Sequence, residues 1–235
     1  FFFKQKTAYE IPKRDWSSDV CSSDLTSGTT FLRLYRWSEA TVSLGYFQRP
    51  DEQQLDPRLA ELPTVRRLSG GGAILHHHEL TYSCCLPPAH PLAQQPSQLY
   101  EQIHAAFIAE LSERGIRIAR RGHTSGGPNE PFLCFLREAA PDLVVQGHKV
   151  LGSAQRRRRG AVLQHGSLLL RASEHVPEIS GLCDVAPPFL ESTIVTADLA
   201  ERLARCLGER SSLRGLDEPV RSKANELSRR RSGLS

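Results

Sequence analysis

The chain of 235 residues is 39% hydrophobic and 24% charged, enough to bury one core, or one core and a small appended piece. No apolar run approaches the length of a bilayer span and no secretory pattern opens the chain, which predicts a cytoplasmic protein with no membrane partner. A net charge of +4, from 30 basic against 26 acidic residues, is too mild to require nucleic acid, and six cysteines without a CxxC are too sparse for a disulfide scaffold.

Residues 1–25, FFFKQKTAYEIPKRDWSSDVCSSDL, show no apolar period of 2 or 3.6 and resemble translated sequencing-adapter read-through. They are expected to be a disordered, non-native tail ahead of an N-terminally truncated domain over 26–207. Alternation begins at Phe31: FLRLYRW and TVSLGYF read as strands, with a turn over 38–40. The proline-bearing stretch 49–63, with Pro50 and Pro57, reads as loop or short helix. VRRLSGGGAILH (65–76) is a basic strand end, three glycines and a further strand; ELTYSC (79–84) is predicted to pair back on 73–76 as a hairpin through His77 and His78. Pro87, Pro88, Pro91 and Pro96 make 86–96 a rigid crossing. Ser97 is the predicted cap of a helix whose Leu99, Ile103, Phe107 and Leu111 share one face, ending before Gly115. A short strand at 116–118 and a loop over 120–129 follow. Residues 172–181 are expected to be helical in part, and Thr196 to cap a second amphipathic helix with Leu199, Leu203, Cys206 and Leu207 on its stripe. The polar end, 208–235, is predicted to be a frayed, solvated tail.

The chemistry concentrates in Pro131–Leu170. Lys149 is the only lysine between Arg14 and Lys223, in a chain otherwise strongly biased to arginine. Lysine is a compact charge whose proton can be lost, which arginine's is not. Cys134, in PFLCF, is either a buried core residue or a nucleophile whose thiolate the nearby Lys149 would favour. Gly147-His148-Lys149 reads as a tight turn into a strand, 150–154, where Gly152, Ser153 and Ala154 leave room for a chain-like ligand or for a packed helix. Arg156 to Arg159 is predicted to be an exposed hairpin loop facing an acidic partner. Further along, alternation puts His165 and Ser167 on one face, His165 being a structural histidine or a base. Upstream, Gly70, Gly71 and Gly72 remove three side chains and free the backbone to close over an anion or a polar chain, or form only a flexible hairpin. Arg66 and Arg67, adjacent on a strand, must face opposite ways, so one lines the pocket and the other braces the loop. Of His76, His77 and His78, at most His76 and His78 can converge, and no metal is expected.

Taken together, RRLSGGGAILHHHELTYS, PFLCF and GHKVLGSAQRRRRGAVLQHGSLLL resemble the lipoate-protein ligase A and octanoyltransferase group of the biotin/lipoate protein ligase superfamily over roughly residues 31–183. The resemblance implies an α/β (α+β) fold: a mixed, mainly antiparallel sheet flanked by helices. It implies that Arg66, Arg67, Ser69, Gly70, Gly71 and Gly72 shape the acyl pocket, that Lys149 organises the activated carbonyl, and that Cys134 carries the acyl group. His76, Gly152, Ser153, Ala154, His165 and Gly166 are the further expected substrate-binding positions. As a cysteine-type transferase the protein would move an octanoyl group from octanoyl-acyl carrier protein, through a Cys134 thioester, to the target lysine of a lipoyl domain of a 2-oxoacid dehydrogenase or of glycine-cleavage H protein, acting as a monomer without cofactor. The alternatives are an ATP- and Mg2+-dependent lipoate-protein ligase working through lipoyl-adenylate, and a catalytically degenerate protein that only binds lipoyl domains.

Overall fold

The computed structural model describes residues 28–49, 56–124, 131–187 and 196–208, with the backbone of two short strands at 2–5 and 212–213. The strands are β1 (Phe2–Gln5), β2 (Phe31–Tyr35), β3 (Thr41–Leu44), β4 (Thr64–Arg66), β5 (Ile74–His76), β6 (Glu79–Leu86), β7 (Ile118–Arg120), β8 (Leu143–Val145), β9 (His148–Arg158), β10 (Ala161–Leu169) and β11 (Ser212–Leu213). The helices are α1 (Pro96–Glu113), a single turn α2 (Leu182–Val185) and α3 (Thr196–Leu207). Eight strands form one mixed, largely antiparallel sheet in the order β11-β1-β2-β6-β10-β9-β8-β7, and β4-β3-β5 form a second, small sheet.

Period-2 alternation in the long strands sorts their residues between two covered faces. From β6, Leu80, Tyr82, Cys84 and Leu86 enter the main core, joined by Val162 and Leu168 of β10, the α1 stripe Leu99, Ile103, Phe107 and Leu111, and Leu199, Leu203 and Leu207 of α3. Glu79, Thr81, Ser83 and Cys85 point the other way, toward the small sheet and the glycine loop, which is why both strands are buried throughout. A separate cluster of Val42, Leu44, Leu59, Ala73, Leu75, Leu133 and Val176 fastens the segment before Cys134 beneath the small sheet. Among the described residues no helix is long and apolar enough to cross a membrane.

Several sequence expectations are corrected. The strand at Ile74–His76 does not fold back on Glu79–Leu86; it pairs with Thr41–Leu44 of the small sheet, so His77 and His78 carry the chain from one sheet to the other. Helix α1 starts at Pro96, not with Ser97 as its cap: proline lacks the N–H that a first helical position leaves unpaired, and Gln95 precedes it without a side-chain cap. Residues 172–181 hold turns and an isolated Ser173–Val176 bridge, the helical turn coming only at Leu182. The arginine run is mostly strand: Arg156, Arg157 and Arg158 pair with Leu163, Val162 and Ala161, leaving only Arg159 and Gly160, both at positive φ, to make the turn. Arg156 faces inward, its guanidinium 4.3 Å above the Tyr46 ring and bonded to the Leu68 carbonyl. Phe2–Gln5, inside the stretch set aside as a tail, pairs in parallel with Phe31–Leu34, and Ser212–Leu213 pairs with β1 in turn. The rest of the first 25 residues, Pro50, Gly126 and Gly127 of the predicted loops, and the remainder of the C-terminal tail beyond Gly208 lie outside the described residues.

Candidate active site

Cys134 is fixed by the end of the glycine loop. Its amide donates to the Ala73 carbonyl at 2.7 Å, and the Ala73 amide donates to Phe132 at 2.9 Å, so one short ladder ties 132–134 to the residue after the three glycines. Cys134 then opens a 3-10 turn, Cys134–Leu136, and stays half-buried, unlike the fully buried Cys84 and Cys85. The loop itself is held from below by Arg67, which is 1% exposed. Its guanidinium donates to the carbonyls of Ser43 (2.6 Å), Gly70 (2.9 Å) and Gly72 (2.5 Å). With those carbonyls turned to Arg67, the amides of Gly70, Gly71 and Gly72 donate to no group among the described residues. Gly71 adopts φ +93°, and a side chain there would begin 3.9 Å from the Cys134 sulfur; a Cβ on Gly72 would stand 2.5 Å from Nε of Arg137. Arg66 faces outward, as alternation requires, and clasps the carbonyls of Gly45, Tyr46 and Gln48, bracing the neighbouring turn. Ser69 reaches across to the large sheet, its Oγ 2.5 Å from Nε2 of His165.

Lys149 reaches this place through an irregularity. A tight turn at Gln146 and Gly147, both at positive φ, joins β8 to β9. Val145 pairs with His148 and Val144 with Lys149, but Leu143 pairs with Leu151, so β9 carries one extra residue there. Val150 and Leu151 consequently both enter the core, and Lys149 falls on the same face as Gly152. Its ammonium binds Oδ2 of Asp142 at 2.9 Å, the carbonyl of Cys134 at 3.1 Å and that of Arg137 at 3.3 Å, and lies 5.3 Å from the Phe135 ring centre. The expected contact with Cys134 is thus to its backbone. Asp142, which sequence reasoning passed over, is 2% exposed and also accepts from the Ala139 amide. Burial pushes its carboxyl above the ordinary carboxylate range, and Lys149 offsets this only in part. A signal was present: a buried lysine needs a carboxylate, and Glu138 and Asp142 are the acids that precede Lys149 in this segment.

The small residues of β9 divide between two faces. Gly152 lies under Lys149, and a Cβ there would stand 2.8 Å from Lys149 Cε. Ala154 pairs with His165, and Gly152 with Ser167, on the same side of the sheet. Ser153 and Gly166, both expected at the substrate, face α1, on the side of the sheet opposite Lys149 and Gly152. Ser153 Oγ lies 2.7 Å from Tyr82 OH and 2.8 Å from Nε2 of His104, while Nδ1 of His104 lies 2.8 Å from the Pro141 carbonyl. Direction follows from the carbonyl, which can only accept: Nδ1–H donates to it, Nε2 accepts from Ser153, and Ser153 accepts from Tyr82. Tyr82 in turn accepts from Gln164 Nε2 at 2.8 Å, and Gln164 accepts from Gln155 at 2.6 Å. Burial lowers the His104 pKa from 6.5 to about 4, so this chain holds a neutral imidazole. Gly166 is small because a Cβ would meet Ser153 Oγ at 2.5 Å and both the Gly152 carbonyl and Tyr82 at 2.6 Å.

His76, expected at the substrate, is buried. Its ring stacks on Trp37 at 4.1 Å and its Nδ1 lies 2.7 Å from Oε1 of Glu79, which is 1% exposed and accepts from Ser167 at 2.7 Å and from Thr81. His76 therefore belongs to a buried polar cluster joining the two sheets. The histidines that converge are His77 and His78, because the chain crosses between sheets there and strand alternation no longer applies.

Residues 19–181 match the lipoyl protein ligase A/B catalytic domain, a match that begins inside the stretch 1–25 expected to be a non-native tail. Octanoyltransferase LipM of Clostridioides difficile is 38% identical over 144 residues, covering 59% of this chain and 53% of that protein. The Moorella thermoacetica LipM is 40% identical over 147 residues, covering 59% and 53%. The chain thus spans about half the length of the curated relatives it matches. Among solved structures, a Thermoplasma acidophilum protein with bound lipoic acid superposes with a TM-score of 0.67 at 17% identity, over 97% of this chain and 95% of that one. Lipoate-protein ligase A bound with ATP gives 0.63 at 20% identity, over 90% and 87%. At such identities these two establish the fold: the expected mixed sheet flanked by helices. The extent of the sequence match goes further, and the chain belongs to the lipoyl protein ligase A/B catalytic domain family.

Proposed function

We propose that the protein is an octanoyltransferase working through a thioester on Cys134. The observation that carries this reading is the placing of the Cys134 sulfur beside Gly71, in a loop whose amides have no partner among the described residues. The names of the similar proteins from Clostridioides difficile and Moorella thermoacetica support it. In the first half-reaction the Cys134 thiolate attacks the carbonyl of an octanoyl thioester on acyl carrier protein. The loop amides and Lys149, already on the Cys134 carbonyl, stabilise the developing oxyanion, and the carrier's thiolate leaves and takes up a proton. In the second, the amine of a lysine on a lipoyl domain or on glycine-cleavage H protein attacks the Cys134 thioester. The amine loses a proton, the Cys134 thiolate leaves, and an amide remains. A thioester is itself activated, so neither half requires a nucleotide.

Incubation with octanoyl-acyl carrier protein in the absence of ATP tests this. One hydroxylamine-sensitive octanoyl group per chain is expected, absent from Cys134→Ala and discharged by added lipoyl domain. An adduct that survives Cys134→Ala overturns the mechanism. Attachment of free lipoate that needs ATP and Mg2+ but not Cys134 makes the protein a ligase, and lipoyl-domain binding without transfer makes it a binding protein.

A further inference from the structure

The turn that carries the chain between the two sheets brings together a second set of reactive side chains. The rings of His77 and His78 lie side by side, 3.6 Å between centres and 24° apart in plane. Oε2 of Glu174 stands 3.6 Å from Nδ1 of His77 and 3.8 Å from Nε2 of His78. One ligand atom from each of the three falls within 4.8 Å of the others. A tetrahedral zinc-type ion, with bonds of about 2.0–2.1 Å, sets its ligand atoms roughly 3.3 Å apart. Closing the remaining gap takes only side-chain rotation of Glu174 and His78, both exposed.

The surroundings hold the group in register. Ser173 Oγ lies 3.0 Å from Nδ1 of His77, the nitrogen that faces Glu174, and has to release it when that nitrogen ligates. The His78 carbonyl accepts from the amides of Leu170 (2.9 Å) and Arg171 (3.3 Å), which ties the turn to the segment bearing Glu174. Apart from the stack and the long contact with Glu174, the His78 ring has no hydrogen-bond partner among the described residues. His175 stands just outside the group, its Nε2 4.0 Å from Oε1 of Glu174 and its ring 6.1 Å from that of His77. Two imidazoles and a single carboxylate suit a borderline first-row cation better than magnesium or calcium, which prefer all-oxygen shells.

We propose that His77, His78 and Glu174 bind one zinc-type divalent cation, with His175 in reach as a fourth ligand. Such an ion would lock the crossing between the sheets to the segment that packs, through Val176, on Ala73 and Leu133, next to Cys134. The site does not depend on the acyl-transfer reading.

Titration of the metal-free chain with Co2+ alone tests it. One equivalent is expected to bind with a visible spectrum of tetrahedral type and no thiolate charge-transfer band, since no cysteine takes part. Zn2+ should displace it and raise the melting temperature. His77→Ala and His78→Ala should each weaken binding by more than the roughly 10- to 100-fold that loss of an outer-shell partner costs. Glu174→Gln, an exposed change that leaves the fold intact, should weaken it measurably even if the histidine variants fail to fold. A thiolate band, undiminished stoichiometric binding in Glu174→Gln, or no binding by the parent chain overturns the proposal.

Discussion

The Lys149 ammonium and the Asp142 carboxylate meet at 2.9 Å with 5% and 3% of their side chains exposed, and the same ammonium rests on the Cys134 carbonyl. The pair orients the lysine rather than simply adding stability, because desolvating two ions consumes most of their attraction. Asp142→Asn leaves a buried lysine without its counter-charge and is expected to lower stability by about 3–5 kcal/mol. Denaturant midpoints measure this, and formation of the octanoyl adduct should slow as Lys149 loses its anchor. An unchanged midpoint would show the pair to be solvated.

Two glycines on neighbouring strands should respond differently to alanine. At Gly166 the new methyl meets the Gly152 carbonyl and the Tyr82 ring at 2.6 Å, neither able to retreat, so a loss of about 1–3 kcal/mol is expected. At Gly152 it meets the Lys149 side chain at 2.8 Å, which can move. Gly152→Ala should therefore cost less stability while slowing transfer on the order of 100-fold through misplacement of the ammonium. Melting curves and single-turnover rates, measured on both variants, separate the two effects; equal stability losses would contradict the assignment of faces.

Arg66 and Arg67 are adjacent yet unequal. Arg67→Lys replaces a fork serving three carbonyls with one point charge and is expected to lose about 3 kcal/mol together with transfer activity. Arg66→Lys, at an exposed site, should stay within about 1 kcal/mol of the parent. Parallel urea titrations check the contrast.

Acid should weaken the fold through His104. Its pKa is 6.5 when unfolded and about 4 when folded, so between these values the unfolded chain binds more protons and stability rises with pH. The contribution is complete above pH 6.5 and lost as pH falls toward about 4, on the order of 3 kcal/mol in all. His104→Gln should flatten the stability–pH curve in that window; a slope equal to the parent's would show that other groups carry it.

Much of the fold was legible because local pattern and tertiary environment agree. The α1 stripe at Leu99, Ile103, Phe107 and Leu111 and the alternation of His165 and Ser167 appear as read. The opposite facing of Arg66 and Arg67 also holds, and both brace backbone carbonyls. Where reading failed, non-local pairing had intervened. Ile74–His76 and Glu79–Leu86 look like a hairpin in sequence, but each finds its partner in a different sheet. Gly152, Ser153 and Ala154 look like one small surface in sequence, yet they divide between the two faces of β9.

The sequence by itself determined which residues are available for chemistry: one cysteine and one lysine set among small residues, a run of glycines, and strands and helices with clear periods. Only the tertiary structure decided which of them meet. Asp142 closes on Lys149, Arg67 draws the glycine carbonyls down, Ser153 and Gly166 turn to the helix, and His77 and His78 converge with Glu174. Periodicity fixes the face of a side chain only within an unbroken strand. A single inserted residue, or a crossing between sheets, resets that phase, and burial then requires each charged or polar group to find a partner distant in the chain.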